Sequence, residues 1–108
     1  MTTSRISGFY NLTIEERRAK LADASHLSPL ELAPWTTGGL SAESADHMIE
    51  NVVGMHSLPL GIGLNFMVNG HDVLVPFVVE EPSVVAGASF MAKLVRAGGG
   101  FFATTTEP

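Results

Sequence analysis

The sequence predicts an α+β fold of N-terminal helices, a β-hairpin and a central buried helix, from three observations. Two capping boxes open helices in the first third of the chain. An Asn69-Gly70 pair joins two apolar extended runs. A run of small and apolar residues then follows Pro82. With 108 residues the chain is of ordinary single-domain size. Apolar residues at 45% make it globular and not disordered.

Thr13-Ile14-Glu15-Glu16 reads as a capping box, in which Thr13 accepts from the Glu16 amide and Glu16 reaches back. A helix is expected from there to about Ser25, with Ile14, Leu21 and Ala22 inward. Ser28-Pro29-Leu30-Glu31 is a second box with proline at the first helical position, and its short helix should end before Pro34. Thr36-Thr37-Gly38-Gly39 is expected as a loop. Ser41 caps a third helix, because Ala45, Met48, Ile49 and Val52 recur at helical spacing before Gly54.

From Leu60 the period changes. Leu60 to Val68 reads as a strand with glycine breaks. Asn69-Gly70 is the strongest short hairpin signal, since both residues tolerate positive φ. The return strand runs from Asp72 to about Val79, and Pro76, which has no N–H to donate, marks an edge or a bulge. Pro82 suits a first helical turn. Ser83 to Ala92 is apolar or small on almost every side, the pattern of a helix buried all round. Lys93 and Arg96 stand near its C-terminus, where cations are favoured, and Gly98-Gly99-Gly100 ends it. Phe101 to Thr106 reads as the start of another strand. No close follows it before Pro108, the pattern expected of a truncated piece.

Composition excludes several classes of function. The formal charge of -5 and the absence of a basic run argue against a nucleic-acid partner. With no cysteine, disulfides, thiolate nucleophiles and cysteine zinc sites are excluded, and a reducing cytoplasm is compatible. Met1 to Arg5 leads into no apolar signal-peptide core, and no apolar run approaches the ~20 residues of a membrane helix. His26, His47, His56 and His71 lack ligand spacing, so no metal site is expected. Trp35 reads as a packing anchor. Charged residues are only 16%, which suggests apolar surface meant for a partner or for further sequence.

The candidate chemistry centres on Glu80-Glu81-Pro82-Ser83. Successive strand side chains point to opposite faces, so only one glutamate should face a given cleft, and a paired-carboxylate hydrolase is disfavoured. Glu81, nearer the helix start, is the inward candidate. The helix N-terminus favours its carboxylate and burial favours the neutral acid. A carboxyl between those pulls can donate or accept a proton. By position alone it also suits a plain helix cap. Ser83 can hydrogen-bond a ligand from the first turn, or simply start the helix. Gly61-x-Gly63 lies in a strand and lacks a third glycine, so it is no dinucleotide fingerprint. Glu50 and Asn51 need partners if buried beside Val52 and Val53, and are a solvated helix end if not.

Several segments together resemble one family. Glu50-Asn51-Val52-Val53-Gly54, Leu58-Pro59-Leu60-Gly61, Asn69-Gly70, Val75-Pro76 and Glu80 to Ala86 are similar, in order and spacing, to the N-terminal part of hydroxymethylglutaryl-CoA (HMG-CoA) reductase, most closely its soluble bacterial class II form. The resemblance runs from about Ser4 to the end. It implies that residues 1–108 are the N-terminal part of the large substrate-binding domain of an enzyme that interconverts HMG-CoA and mevalonate plus CoA with two nicotinamide hydrides. It implies that Glu81 is the catalytic glutamate, that Ser83 and Val84 line the HMG pocket, and that Glu50 and Asn51 lie near the substrate site and a homodimer interface. NADH rather than NADPH is expected, because the Glu81 region looks like that of mevalonate-degrading bacterial enzymes. The family's nicotinamide-binding domain, catalytic lysine and aspartate, and C-terminal histidine have no match here, and Gly87 stands where relatives usually carry alanine. Two readings follow: a piece of a working reductase, or a truncated, non-catalytic folding and dimerisation module. An unrelated small α+β binding domain is the third. In isolation the apolar helix should drive aggregation or dimerisation.

Overall fold

The computed structural model describes residues 3–108; Met1 and Thr2, with the reading made of them, lie outside that range. A 3-10 turn at Phe9–Asn11 leads into α1 (Ile14–Ser25), α2 (Pro29–Leu32), α3 (Pro34–Thr37) and α4 (Ala42–Asp46). Then come β1 (Leu60–Gly63), β2 (Met67–Val68), β3 (His71–Asp72), β4 (Val75–Val78) and α5 (Val84–Ala97). The α+β prediction therefore holds.

Both capping boxes form as the sequence dictates, and each hydroxyl accepts from the amide three residues on while the glutamate accepts from the cap amide. The Ser28 amide and hydroxyl hold the Glu31 carboxyl below its ordinary value. Helix α1 buries Leu21 and Ala24, with Ala22 half-buried. Ile14, expected inward, is 57% exposed, because it sits at the uncovered start of the helix. Arg17 donates to the Phe9 and Tyr10 carbonyls, and Arg18 to the carbonyl of Trp35 at 2.7 Å, so two adjacent guanidinium groups tie the first half of α1 to the segments before and after it.

Three expectations change. Residues 36–37 belong to the single turn α3, because Pro34 suits a first helical position and the Gly38 N–H closes on the Pro34 carbonyl at 2.8 Å. The third helix stops at Asp46 instead of continuing to Val52. The His47 ring nitrogen Nδ1 lies 2.8 Å from the Glu43 carbonyl, the acceptor the next turn needs, and the His47 amide turns to Ser44. Met48 and Ile49 are then 68% and 65% exposed, with no packing to hold a further turn. The strand predicted at 101–106 is reduced to one parallel bridge between Phe101 and Val68. Beyond it the Asn69 side chain exchanges two 3.0 Å hydrogen bonds with the Ala103 backbone in place of a ladder.

The hairpin forms around Asn69 and Gly70, with φ of 50° and 79°. Strand β1 pairs with β4 from Leu60↔Val78 to Gly63↔Val75, and β2 pairs with β3 at Met67↔Asp72 and Val68↔His71. Between these stretches, residues 64–66 face only 73–74, which is a β-bulge. Gly61 and Gly63 do not break the strand, as the sequence suggested; the bulge after them does. Its centre, Asn65, has φ 68°, a left-handed conformation that asparagine tolerates. Pro76 sits opposite Ile62 in a two-stranded sheet, where every strand is an edge.

One polar clip gathers four chain segments at the bulge. The Ser4 N–H donates to Asp72 Oδ2 at 2.9 Å, and the Ser4 hydroxyl to the Phe66 carbonyl at 2.9 Å. The Asn65 N–H donates to the Ser4 carbonyl at 2.8 Å. Arg96 in the last turn of α5 donates to Asp72 Oδ1 at 2.6 Å and to the Asn65 carbonyl at 3.5 Å. Ser4 is fully buried, and the Arg96 and Asp72 side chains are each only 16% exposed. Higher up α5, the Ser89 hydroxyl accepts from the Leu64 N–H at 2.9 Å.

Helix α5 forms over the expected residues and ends at the glycines. Its expected all-round burial is not met within this chain. Only Ala92 is fully buried, while Phe90, Met91 and Leu94 are more than half exposed. The accessible surface of 8262 Å² exceeds the about 5,800 Å² typical of a folded 11.4 kDa monomer. The radius of gyration of 16.4 Å likewise exceeds the about 13 Å of a compact domain this long. The low share of charged residues is the sequence counterpart of this apolar surface.

Two predictions follow from these contacts. The backbone N–H of Ser4, helped by Arg96 and the Ser4 hydroxyl and opposed by burial, holds the Asp72 carboxyl below its ordinary value of 3.8. The unfolded chain then binds the extra proton, so this contribution is complete above the ordinary value and fades as pH falls through and below it. The urea midpoint should drop on that acid limb. Asp72→Asn should cost about 1.5–3 kcal/mol near neutrality and flatten the limb. At Gly100, φ is 87° and an added Cβ would lie 2.7 Å from the Met67 carbonyl oxygen. Gly100→Ala should therefore cost at least about 1–2 kcal/mol. Gly87→Ala, where a Cβ meets open space inside α5, should add up to about 1 kcal/mol. Thermal midpoints of the two variants should move in opposite directions.

Candidate functional site

A groove of about 380 Å³ opens where β4 leaves the sheet and α5 begins. Pro59, Leu60 and Gly61 form one wall, and Glu80, Glu81 and Ser83 are on the other. Gly61 is what lets the helix come close, since an added Cβ would sit 3.3 Å from Val85 Cγ2. The apolar wall and the acid-bearing turn are thus brought together by a small residue on β1.

The turn itself differs from the prediction. Strand β4 ends at Val78, so strand alternation does not separate the two glutamates. Both line the groove and both are exposed. The expected burial of Glu81 is absent within the described residues. Pro82 lies in a turn ahead of α5 and not in its first turn. Ser83 is the N-cap residue but has φ 74° and makes no side-chain capping bond. For a non-glycine residue that conformation is costly, and costly conformations concentrate at functional sites. The Ser83 carbonyl accepts the Gly87 N–H at 2.8 Å, so its backbone starts the helix while its hydroxyl stays available.

The other candidates are placed elsewhere. Val84 is 37% exposed and is not part of the groove lining; its neighbour Val85 is. Glu50 and Asn51 are exposed and do not reach the groove. They stand in an irregular arm between α4 and β1, where Asn51 has φ 59° and Val53 is fully exposed. The sequence missed the groove wall as such: Leu58-Pro59-Leu60-Gly61 stood out only for its family resemblance, and from Leu60 on as a strand. It also missed Ser4 and Ser89, because a serine carries no pattern that announces a partner 60 or 25 residues away.

Among the described residues, no three histidine, aspartate or glutamate side chains gather as metal ligands would. No helix there is long and apolar enough to cross a membrane.

The profile of the hydroxymethylglutaryl-coenzyme A reductase family matches residues 13–108. The chain is 50% identical over 99 residues to 3-hydroxy-3-methylglutaryl-coenzyme A reductase of Archaeoglobus fulgidus, covering 92% of this chain and 23% of that protein. A reductase of Aspergillus terreus is 43% identical over 51 residues. In three dimensions the chain superposes on the class II 3-hydroxy-3-methylglutaryl-CoA reductase of Streptococcus pneumoniae bound to NADPH. The TM-score is 0.83 at 40% identity, over 91% of this chain and 27% of that one. The chain thus spans about a quarter of the length of these two long-matching relatives. On profile, sequence and fold together, this chain belongs to the hydroxymethylglutaryl-coenzyme A reductase family.

Proposed function

We propose that this chain is the N-terminal part of the substrate-binding domain of an HMG-CoA reductase and brings that enzyme its catalytic glutamate, Glu81. The observation that carries the proposal is the groove that sets Glu81 and the uncapped Ser83 opposite the apolar Pro59-Leu60 wall. The overall reaction takes HMG-CoA, two NAD(P)H and two protons to mevalonate, CoA and two NAD(P)+. Reduction of the thioester carbonyl leaves charge on its oxygen, which re-forms a carbonyl as the CoA thiolate leaves and takes one proton. Reduction of the resulting aldehyde leaves an alkoxide, which takes the other. A carboxyl beside the start of a 14-residue helix is suited to pass a proton. The Ser83 hydroxyl, free of the helix cap, can hydrogen-bond the acyl portion of the substrate, with Val84 adding apolar surface at the pocket rim. Glu50 and Asn51, on the exposed arm, would meet the substrate or a second subunit of a homodimer only in the assembled enzyme.

The nicotinamide cofactor supplies the hydride. The residues present here do not fit its dinucleotide. Gly98 to Gly100 terminate α5 and pack Gly100 on Met67, and Gly61 lies within a paired strand. Arg96 is engaged by Asp72. The groups that hold the cofactor, and decide between NADH and NADPH, belong to sequence beyond these residues, as do the lysine, aspartate and histidine of the family's chemistry. The reductase would act in the cytoplasm.

The competing reading is a non-catalytic folding and dimerisation module, favoured by the exposed apolar face of α5. Oxidation of NAD(P)H with HMG-CoA distinguishes them. The 108-residue chain alone should show no turnover, and in a reductase polypeptide carrying these residues Glu81→Gln should lower kcat by about 10²–10⁴. Its thermal midpoint should barely move, because Glu81 is exposed. A near-normal rate for Glu81→Gln would refute the assignment.

A further inference from the structure

Beyond the groove, the polar cluster on the far end of α5 remains without an assigned task. It joins Ser4, Asn65, Asp72 and Arg96, and it lies at the opposite end of the helix from Glu81. We propose that Arg96 is a positioning residue of the active site: its attachment to Asp72 and Ser4 sets the tilt of α5, and so the place of Glu81 and Ser83 opposite the Pro59-Leu60 wall. The inference rests on the assignment of Glu81 as the catalytic group.

Helix α5 is held to the hairpin at three levels. Near its first turn, Val85 rides over Gly61. At its middle, Ser89 takes the Leu64 N–H at 2.9 Å, and its carbonyl takes the Asn65 side-chain amide at 3.0 Å. In its last turn, Arg96 reaches Asp72 at 2.6 Å, the Ser4 hydroxyl at 3.3 Å and the Asn65 carbonyl at 3.5 Å. Only Ala92 is fully buried along the helix, so apolar packing inside this chain restrains it little. Among the described residues, the polar attachments are then the main restraint on its orientation.

A helix is stiff over this length, and Ser89 acts as its pivot. Arg96 is about 10 Å along the axis on one side, and Val84 about 7–8 Å on the other. A swing of about 1 Å at Arg96 therefore moves the helix start by about 0.7 Å in the opposite sense. Displacements of that size at a reacting group lower rates severely, by up to about a hundredfold for 1 Å. The guanidinium is suited to the task because its planar fork reaches the carboxylate, the hydroxyl and the carbonyl at once. A lysine at the same position offers one ammonium, which can keep the ion pair with Asp72.

The test is a double-mutant cycle in a reductase polypeptide that carries these residues. It is measured well below each variant's thermal midpoint and expressed per folded enzyme. Arg96→Met should lower kcat about 10- to 100-fold with a smaller change in KM, and Arg96→Lys should recover all but about threefold of it. In a Glu81→Asp background, which keeps a carboxylate and a measurable rate but already misplaces it, Arg96→Met should cost less than about threefold more. Independent, fully multiplicative losses from Arg96→Met and Glu81→Asp would overturn the proposal while leaving Glu81 catalytic. So would a lowered thermal midpoint with kcat intact. A near-normal rate for Glu81→Gln alone would overturn the assignment of Glu81, and the proposal with it.

Discussion

Three backbone groups at the β-bulge of residues 64–66, the Leu64 and Asn65 amides and the Asn65 carbonyl, take partners outside the ladder. Each finds its partner on a different element. Ser89 of α5 accepts from Leu64, the Ser4 carbonyl accepts from Asn65, and Arg96 donates to the Asn65 carbonyl. Left unpaired in a half-buried site, such groups cost about 1–3 kcal/mol apiece, so the bulge effectively demands both the N-terminal segment and the helix. Asp72, on the strand after the turn, completes the cluster by taking the Ser4 amide and the Arg96 guanidinium together. A slip of one residue in the hairpin thus becomes the point where the first residues described, the sheet and the last helix meet.

This polar junction carries more weight here than it would in a domain with a full core. Four buried apolar side chains are all that the described residues assemble, three of them alanines. Two-stranded sheets are marginal without a packed face, and α5 lies on β1 with Val85 over Gly61. The rings of Phe66, Phe77 and Phe101 add a small aromatic cluster on the hairpin, with centroids 6.3 and 5.7 Å apart. Met48, Ile49, Phe90, Met91 and Leu94 are exposed, apolar surface of the kind that binding partners cover. Identity to relatives about four times as long gives that surface a natural context.

The same arrangement shapes the groove. Closeness of α5 to β1 depends on a missing Cβ at residue 61, and the acid-bearing turn depends on Ser83 accepting a left-handed backbone. That turn frees the serine hydroxyl from capping duty, where a conventional cap would have spent it on the helix. Glu81 stays exposed in the same way: it lines the groove, and no described residue covers it.

Local chemistry was readable from the sequence wherever a few neighbouring residues decide the outcome. Thr13–Glu16 and Ser28–Glu31 form their boxes, Asn69-Gly70 turns the hairpin, and the three glycines end α5, because each rests on contacts within one turn of chain. The resemblance of Glu80 to Ala86 and its companion segments to one family was likewise carried by order and spacing. What failed depended on distant partners. Helix α4 stops early because nothing packs on Met48 and Ile49, and α5 is apolar without being buried because its cover is not among these residues. The strand carrying Gly61 and Gly63 breaks at a bulge that Ser4, Ser89 and Arg96 satisfy from 24 to 62 residues away. A sequence fixes which groups a backbone conformation will leave unpaired only after the register is known, and register is decided by tertiary packing.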